Sequence, residues 1–149
     1  MPPDPLDLLY LLFDTARLLR IEAGARARAR GLARGEFSTL AILARNPGLT
    51  QRKLAQRLDV EPITVARLLD RLAARGLVER RPDPRDRRVW RLHLGAEATA
   101  LTAGITEALS DLARQLTAGL PTATLDGLAS GLAHISAVLN PAPALQEVA

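Results

Sequence analysis

The stretch RRPDPRDRRVWRL, Arg80 to Leu92, gathers six arginines, two prolines and two aspartates. Arginine carries a planar, permanently charged guanidinium with five donors, a shape that fits phosphates and the edges of bases. The chemistry such a run offers is therefore recognition of a polyanion. Pro82 to Asp86, PDPRD, is turn composition. LVERR before it and VWRLHL after it read as two strands, with Trp90, Leu92 and Leu94 on one face at period two. The arginines thus crowd the tip and edges of a β-hairpin.

Charge elsewhere points the same way. The 149 residues carry a net charge of +4, and the basic residues are nineteen arginines and the single Lys53. Residues 50–91 hold +6, residues 1–49 hold +2 and residues 92–149 hold −4. A basic middle between less basic ends suggests that the middle meets a polyanion. Other chemistry lacks its parts. There is no cysteine, which excludes disulfides, thiol catalysis and cysteine-ligated zinc. His93 and His134 are isolated, with no metal-ligand spacing around them, and read as a surface wing residue and a residue of an interfacial helix. No glycine-rich phosphate loop or nucleophile motif occurs. No enzyme, catalytic residue, metal or cofactor is expected. Leu8 to Phe13, flanked by Asp7 and Asp14, is far too short to span a bilayer, and nothing near the N-terminus reads as a signal peptide. A soluble, cytoplasmic protein with no membrane partner is expected.

The hairpin needs elements to position it. Asp4 is a plausible N-cap and Pro5 a first helical residue. Leu8, Leu9, Leu12, Ala16 and Leu19 follow at helical spacing, so one helix should run from about Pro5 to Ala29. Gly31 to Gly35 breaks that pattern. GEFSTLAILARNPG is then a short helix with Phe37, Leu40, Ala41 and Leu43 inward, ended by Asn46, Pro47 and Gly48. Thr50 caps a second short helix with Leu54, Ala55 and Leu58 buried. Pro62 starts a third, where Val65, Leu68, Leu69 and Leu72 make one buried face and Gly76 is the stop. Two short helices joined by a tight turn make a helix-turn-helix. The face of the second helix away from its stripe carries Pro62, Ile63, Thr64, Ala66, Arg67, Asp70 and Arg71. Small and polar residues of this kind can enter a major groove, where Arg67 can pair with guanine and Thr64 can bond a base or touch a thymine methyl. On a merely solvated face, Arg67 and Asp70 would instead pair with each other.

A hairpin directly after a helix-turn-helix is a winged helix. Its wing would lay Arg85, Arg87 and Arg88 along the DNA backbone and into the minor groove, whose narrow stretches concentrate negative potential. After the wing, Leu101, Ile105, Leu109, Leu112 and Leu116 recur at steps of three and four, and so do Leu125, Leu128, Leu132, Ile135 and Leu139 after Pro121. With the N-terminal helix, these helices are too apolar to stand free. A dimer interface is their expected home, with the core of a monomer as the alternative.

Residues 32–94 resemble the MarR (multiple antibiotic resistance regulator) family of transcription factors. The strings FSTLAIL, NPGLTQRKLAQRLDV, ITVARLLDRLAARGLVERR and PDPRDRRVWRLHL carry the resemblance. It implies a mainly α fold with a small β-wing, a single MarR-type domain over 1–149. Dimerisation helices would lie at about 1–31 and 95–149, and the winged helix at about 36–94. It also implies a homodimer on a pseudo-palindromic operator in double-stranded DNA, with recognition helices in successive major grooves. Most members are repressors released by a small, often aromatic ligand; no motif marks a ligand pocket here, and no pocket residue is named. The family's wing motif Asp-x-Arg falls on Asp86, Arg87 and Arg88, which implies that Asp86 orients the hairpin and Arg88 enters the minor groove. Thr64 and Arg67 match the family's recognition-helix Thr and Arg. The full set of expected DNA-binding residues is Thr50, Gln51, Arg52, Pro62, Thr64, Arg67, Arg71, Arg85, Asp86, Arg87 and Arg88. Two positions depart from the pattern. Glu61 stands where the family has a small polar cap, and is expected either to weaken a phosphate contact or to accept from a cytosine N4 amine. LGAEA, Leu94 to Ala98, replaces the usual Leu-Thr-x-x-Gly after the wing, with Gly95 as a tolerable N-cap.

The competing reading is a winged helix used as a protein-interaction module without specific DNA readout. Salt separates the two. A DNA binder loses affinity linearly in log[salt], and an apolar protein interface barely responds.

Overall fold

The computed structural model describes residues 1–140 and divides into two compact units, Met1–Leu109 and the chain from Ser110 on. Six α-helices are described: α1 (Pro5–Arg28), α2 (Arg34–Arg45), α3 (Gln51–Leu58), α4 (Pro62–Ala74), α5 (Thr99–Thr117) and α6 (Thr122–Leu139). Three strands, β1 (Leu49–Thr50), β2 (Val78–Pro82) and β3 (Trp90–Leu94), form an antiparallel sheet in the order β1-β3-β2. The fold is mainly helical with a small β-wing.

Local signals set most boundaries. The Asp4 carboxylate accepts from Leu6 N at 2.8 Å, and Pro5 occupies the first helical turn. The Thr50 hydroxyl accepts from Lys53 N at 3.3 Å. Three helices of the first unit end alike, on a left-handed residue followed by a bond back to the last turn. At α1 the residue is Gly31 (φ 67°), with Leu32 N donating to Ala27 O at 3.0 Å. At α4 it is Gly76 (φ 68°), with Leu77 N donating to Leu72 O at 3.0 Å. At α3 it is Asp59 (φ 53°), a residue type that tolerates this region better than most, and its bend makes the tight turn into α4. Gly35 is not part of the break before α2. It lies in that helix's first turn, where a Cβ would stand 3.6 Å from Leu68.

The core of the first unit is built from Phe37, Leu40, Leu43, Leu54, Val65, Leu69, Leu72, Leu92 and Ile105, all essentially inaccessible to solvent. The expected stripes of α2, α3 and α4 supply most of it, with Ala41 and Leu58 half-buried beside it. Trp90 departs from expectation. It shares a face with Leu92 and Leu94 but is 52% exposed, because it pairs with Pro82 at the far end of the hairpin, beyond the helices that cover Leu92. β1 was not expected either. Leu49 and Thr50 pair with Leu92 and Arg91, so the residue that caps α3 also docks the helix-turn-helix to the wing.

Gly95 joins β3 to the helical turn that leads into α5. A Cβ there would lie 2.0 Å from Gly76 O and 2.8 Å from Gly76 C, far inside van der Waals contact with rigid backbone. Gly95 N donates to Leu77 O at 2.9 Å, and Glu97 N donates to Gly76 O at 3.3 Å. The end of α4 and the exit of the wing are therefore packed backbone to backbone. Gly95→Ala should destabilise the protein by about 3 kcal/mol. Urea unfolding followed by circular dichroism reads this, and an unchanged midpoint would contradict the packing.

Candidate nucleic-acid interface

Residues of α4 divide by helical phase. Val65, Leu68, Leu69 and Leu72 are buried, while Pro62, Ile63, Thr64, Arg67, Asp70 and Arg71 are exposed. Asp70 does not pair with Arg67. Its carboxylate accepts from Arg80 of β2 at 2.9 Å, which ties the recognition helix to the wing. Arg67 is left with no ion-pair partner among the described residues, its guanidinium free at the surface. Glu61 occupies the N-cap of α4 but accepts no capping hydrogen bond. Thr50, Gln51 and Arg52 sit at the start of α3, where the Thr50 hydroxyl is spent on its own helix.

The six arginines of the opening stretch fall into two sets. Arg80 pairs with Asp70, Arg81 with Glu79 and Arg91 with Asp83. Arg85, Arg87 and Arg88 are exposed at the tip, and their side chains hold no ion pair among the described residues. The first set builds the wing and the second is available to a partner.

Asp83 organises the tip. It is buried at 8% exposure, and its Oδ1 accepts from Arg85 N at 2.7 Å and Asp86 N at 3.2 Å. Its Oδ2 accepts from Arg91 Nε at 2.6 Å. Arg91 Nη1 reaches on to Gly48 O at 3.3 Å, in the turn that precedes α3. The wing tip is thereby linked through one carboxylate and one guanidinium to the entry of the helix-turn-helix. Asp86 acts more locally, with its Oδ1 accepting from Arg88 N at 3.0 Å. The backbone donors, first that of Arg85, and then the Arg91 guanidinium hold the Asp83 carboxyl below its ordinary value of 3.8 against the opposing effect of burial.

A cleft of about 480 Å³ opens on the other side of α4, within the first unit. Its apolar wall includes Phe37, Ile42, Leu68 and Leu109, and Arg20, Arg34, Arg57 and Arg71 line it too. Glu36 stands in it at 9% exposure, accepting from Ala33 N at 3.0 Å. Arg71 Nε and Arg75 Nη1 approach the Glu36 carboxylate at 3.9 and 3.6 Å. Arg71 thus faces both the outer surface and the cleft, and Thr64 also lines the cleft. Among the described residues no group of three His, Asp or Glu side chains could hold a metal ion, and no helix is long and apolar enough to cross a membrane.

Asp83, Arg91, Gly48 and Glu36 were not among the expected site residues. An aspartate opening a turn and bonding the amides two and three residues on is a recognised pattern, so Asp83 had a local signal. Glu36 had one too, three residues after the N-cap Ala33. The tie from Arg91 to Gly48 spans 43 residues and had none.

Residues 32–90 match the MarR family. A protein of Thauera aromatica whose name links it to regulation of the hcr operon is 33% identical over 66% of this chain and 61% of its own. The Bacillus subtilis repressor YetL is 34% identical over 64% of this chain and 58% of its own. The matched stretch thus spans about three fifths of these curated relatives. The crystal structure of the transcriptional regulator PA3341 superposes with a TM-score of 0.81 at 34% identity, covering 89% of this chain and 97% of that one. The chain belongs to the MarR family of transcriptional regulators.

The lowered Asp83 value has a sign. A carboxyl whose value is depressed by folding stabilises the tip above its ordinary value, and that stabilisation is lost as pH falls below about 3.8. Asp83→Asn should therefore lack this acid transition and should expose the Arg85 amide at neutral pH, with exchange about tenfold faster than in the wild type. Amide hydrogen exchange resolved by NMR reads both. Equal rates in the two proteins would show that Asp83 does not anchor the tip.

Proposed function

We propose that the chain is a homodimeric, sequence-specific DNA-binding repressor that occupies a pseudo-palindromic operator and is released by a small-molecule ligand. The observation that carries this is the division of the arginines. Three are consumed in fixing the wing, and among the described residues neither the three at its tip nor Arg67 of the neighbouring α4 holds an ion pair. In this reading Arg67 and Thr64 meet base edges in the major groove. Arg88, flanked by Arg85 and Arg87, enters the minor groove, with Asp86 setting the backbone at Arg88. Thr50, Gln51, Arg52, Pro62 and Arg71 border the same surface, where contacts to phosphate set register without reading sequence. Glu61, with no cap bond of its own, is free to accept from a cytosine amine.

The dimer rests on exposed apolar surface. Nine large apolar side chains of α1, from Leu6 to Ile21, are 40–63% exposed, and α6 has no buried residue. So much apolar surface marks an interaction face. A second copy presenting the same surface would cover it with twofold symmetry, as an operator with inverted half-sites requires. Repression is supported by the name of YetL. Ligand control is supported by the cleft beside α4 and by CouR from Rhodococcus jostii RHA1, which shares the fold at 22% identity and was crystallised with p-coumaroyl-CoA.

Fluorescence anisotropy on duplex DNA from upstream of the chain's own gene tests the reading, with a scrambled duplex as control and the mass in solution measured on the same samples. The expected species has twice the 16.0 kDa chain mass and prefers its own duplex. Arg88→Ala should cost about 1–3 kcal/mol of binding and lower the log–log salt slope by about 1. Equal binding to both duplexes, indifferent to salt and to Arg88, would favour the protein-interaction module instead.

A further inference from the structure

The wing exposes an apolar side chain that its charges do not explain. Trp90, the single tryptophan of the chain, opens β3 and is 52% exposed. Its cross-strand partner Pro82 is exposed too, so the two side chains form one apolar strip just behind the tip. The indole N–H donates to no group among the described residues. Register fixes where this strip lies. Leu49 and Thr50 of β1 pair with Leu92 and Arg91, so the next step brings Gln51, the first residue of α3, level with Trp90. Two residues before Trp90 the tip begins, with Arg88, Arg87 and Arg85 exposed and without an ion pair among the described residues. Trp90 therefore stands between the start of α3 and the tip arginines, two parts of the surface that would meet DNA.

We propose that Trp90 is itself a DNA contact, its indole packed on the deoxyribose rings of the backbone that borders the minor groove. The charge around it selects this occupant. An apolar protein surface closing over Trp90 would have to desolvate neighbouring guanidinium groups that no carboxylate neutralises. A sugar–phosphate backbone supplies both partners at once, phosphates for the arginines and the C–H faces of the sugars for the ring. Trp90 is held in a strand and set back from the tip, so it meets the edge of the backbone and does not wedge between base steps. Such a contact adds affinity, releases no counterion and reads no sequence. The proposal rests on the DNA-binding reading above and gives Trp90 a part distinct from that of the arginines.

Tryptophan emission of the full-length protein tests it, because Trp90 alone is its source. Acrylamide, a neutral quencher, is titrated without DNA and again with the protein saturated by a duplex that it binds. Quenching should be efficient in the free protein, and bound DNA should lower the quenching constant several-fold. A constant that DNA leaves unchanged would overturn the proposal. So would one that is already low without DNA, since a second copy of the chain would then cover the ring. Anisotropy supplies the second arm. Trp90→Ala, checked for native helicity, should bind the chain's own upstream duplex and the scrambled duplex more weakly by the same factor, about five- to tenfold. Its log–log salt slope should equal that of the wild type, unlike the slope of Arg88→Ala. Trp90→Phe should recover most of the lost affinity. Full affinity in Trp90→Ala overturns the proposal. A loss confined to one duplex, or one with a shallower salt slope, also overturns it, because the residue would then read bases or act through the arginines. Should Trp90→Ala fail to fold, the quenching of the wild type still decides. If the wild type binds neither duplex, the repressor reading fails. Binding that leaves Trp90 open to acrylamide defeats this inference alone.

Discussion

One buried carboxylate organises the surface that would meet DNA. Asp83 accepts two backbone amides of the wing tip and the guanidinium of Arg91, and Arg91 continues to the carbonyl of Gly48. Without such an anchor, a tip carrying three unpaired arginines would repel itself and sample many conformations. Three guanidinium groups must be held close, yet none can be neutralised if they are to meet a polyanion. Asp83 meets both demands because it is spent on backbone amides and on an arginine of the strand, leaving the tip side chains charged. Ordering the tip before binding also lowers the conformational cost of association.

The remaining geometry follows from backbone contacts. The left-handed Asp59 sets the turn between α3 and α4, and Gly76 turns the chain from α4 into the wing. Gly95 then brings the wing's exit against Gly76 so closely that no side chain fits between them. The pair of Asp70 with Arg80 adds a polar tie between α4 and β2. Recognition helix, wing and the start of α5 are thus joined at one corner of the first unit.

Much of this was legible in the sequence, and the parts that were not share a cause. Helix starts at Pro5 and Pro62, the cap at Thr50 and the stop at Gly76 are local signals, and each fell where the residues placed it. The α4 stripe was legible because its spacing is strict. Trp90 shows the limit of periodicity, which assigns a face but not whether anything covers it. β1 is two residues long, too short for any pattern, and exists because β3 passes beside it. Gly95 read as a mild N-cap, whereas its role depends on a carbonyl 19 positions earlier in the chain. In the candidate site, the arginine-rich run was plain, but composition alone could not divide it. Which arginines are tied and which are free depends on Asp70, Glu79 and Asp83, and of these only Glu79 is a near neighbour of its partner within one strand.

The central claim is that an anchored wing presents free arginines to the minor groove beside a helix that reads the major groove. Hydroxyl-radical footprinting on a duplex selected by the wild-type protein tests it most directly, with Asp83→Asn compared at concentrations that saturate the site. The account predicts protection in the minor groove flanking each major-groove contact for the wild type. For Asp83→Asn it predicts loss of that flanking protection with the central contacts retained. Identical footprints from the two proteins would contradict it, because the tip would then reach DNA without the carboxylate that holds it.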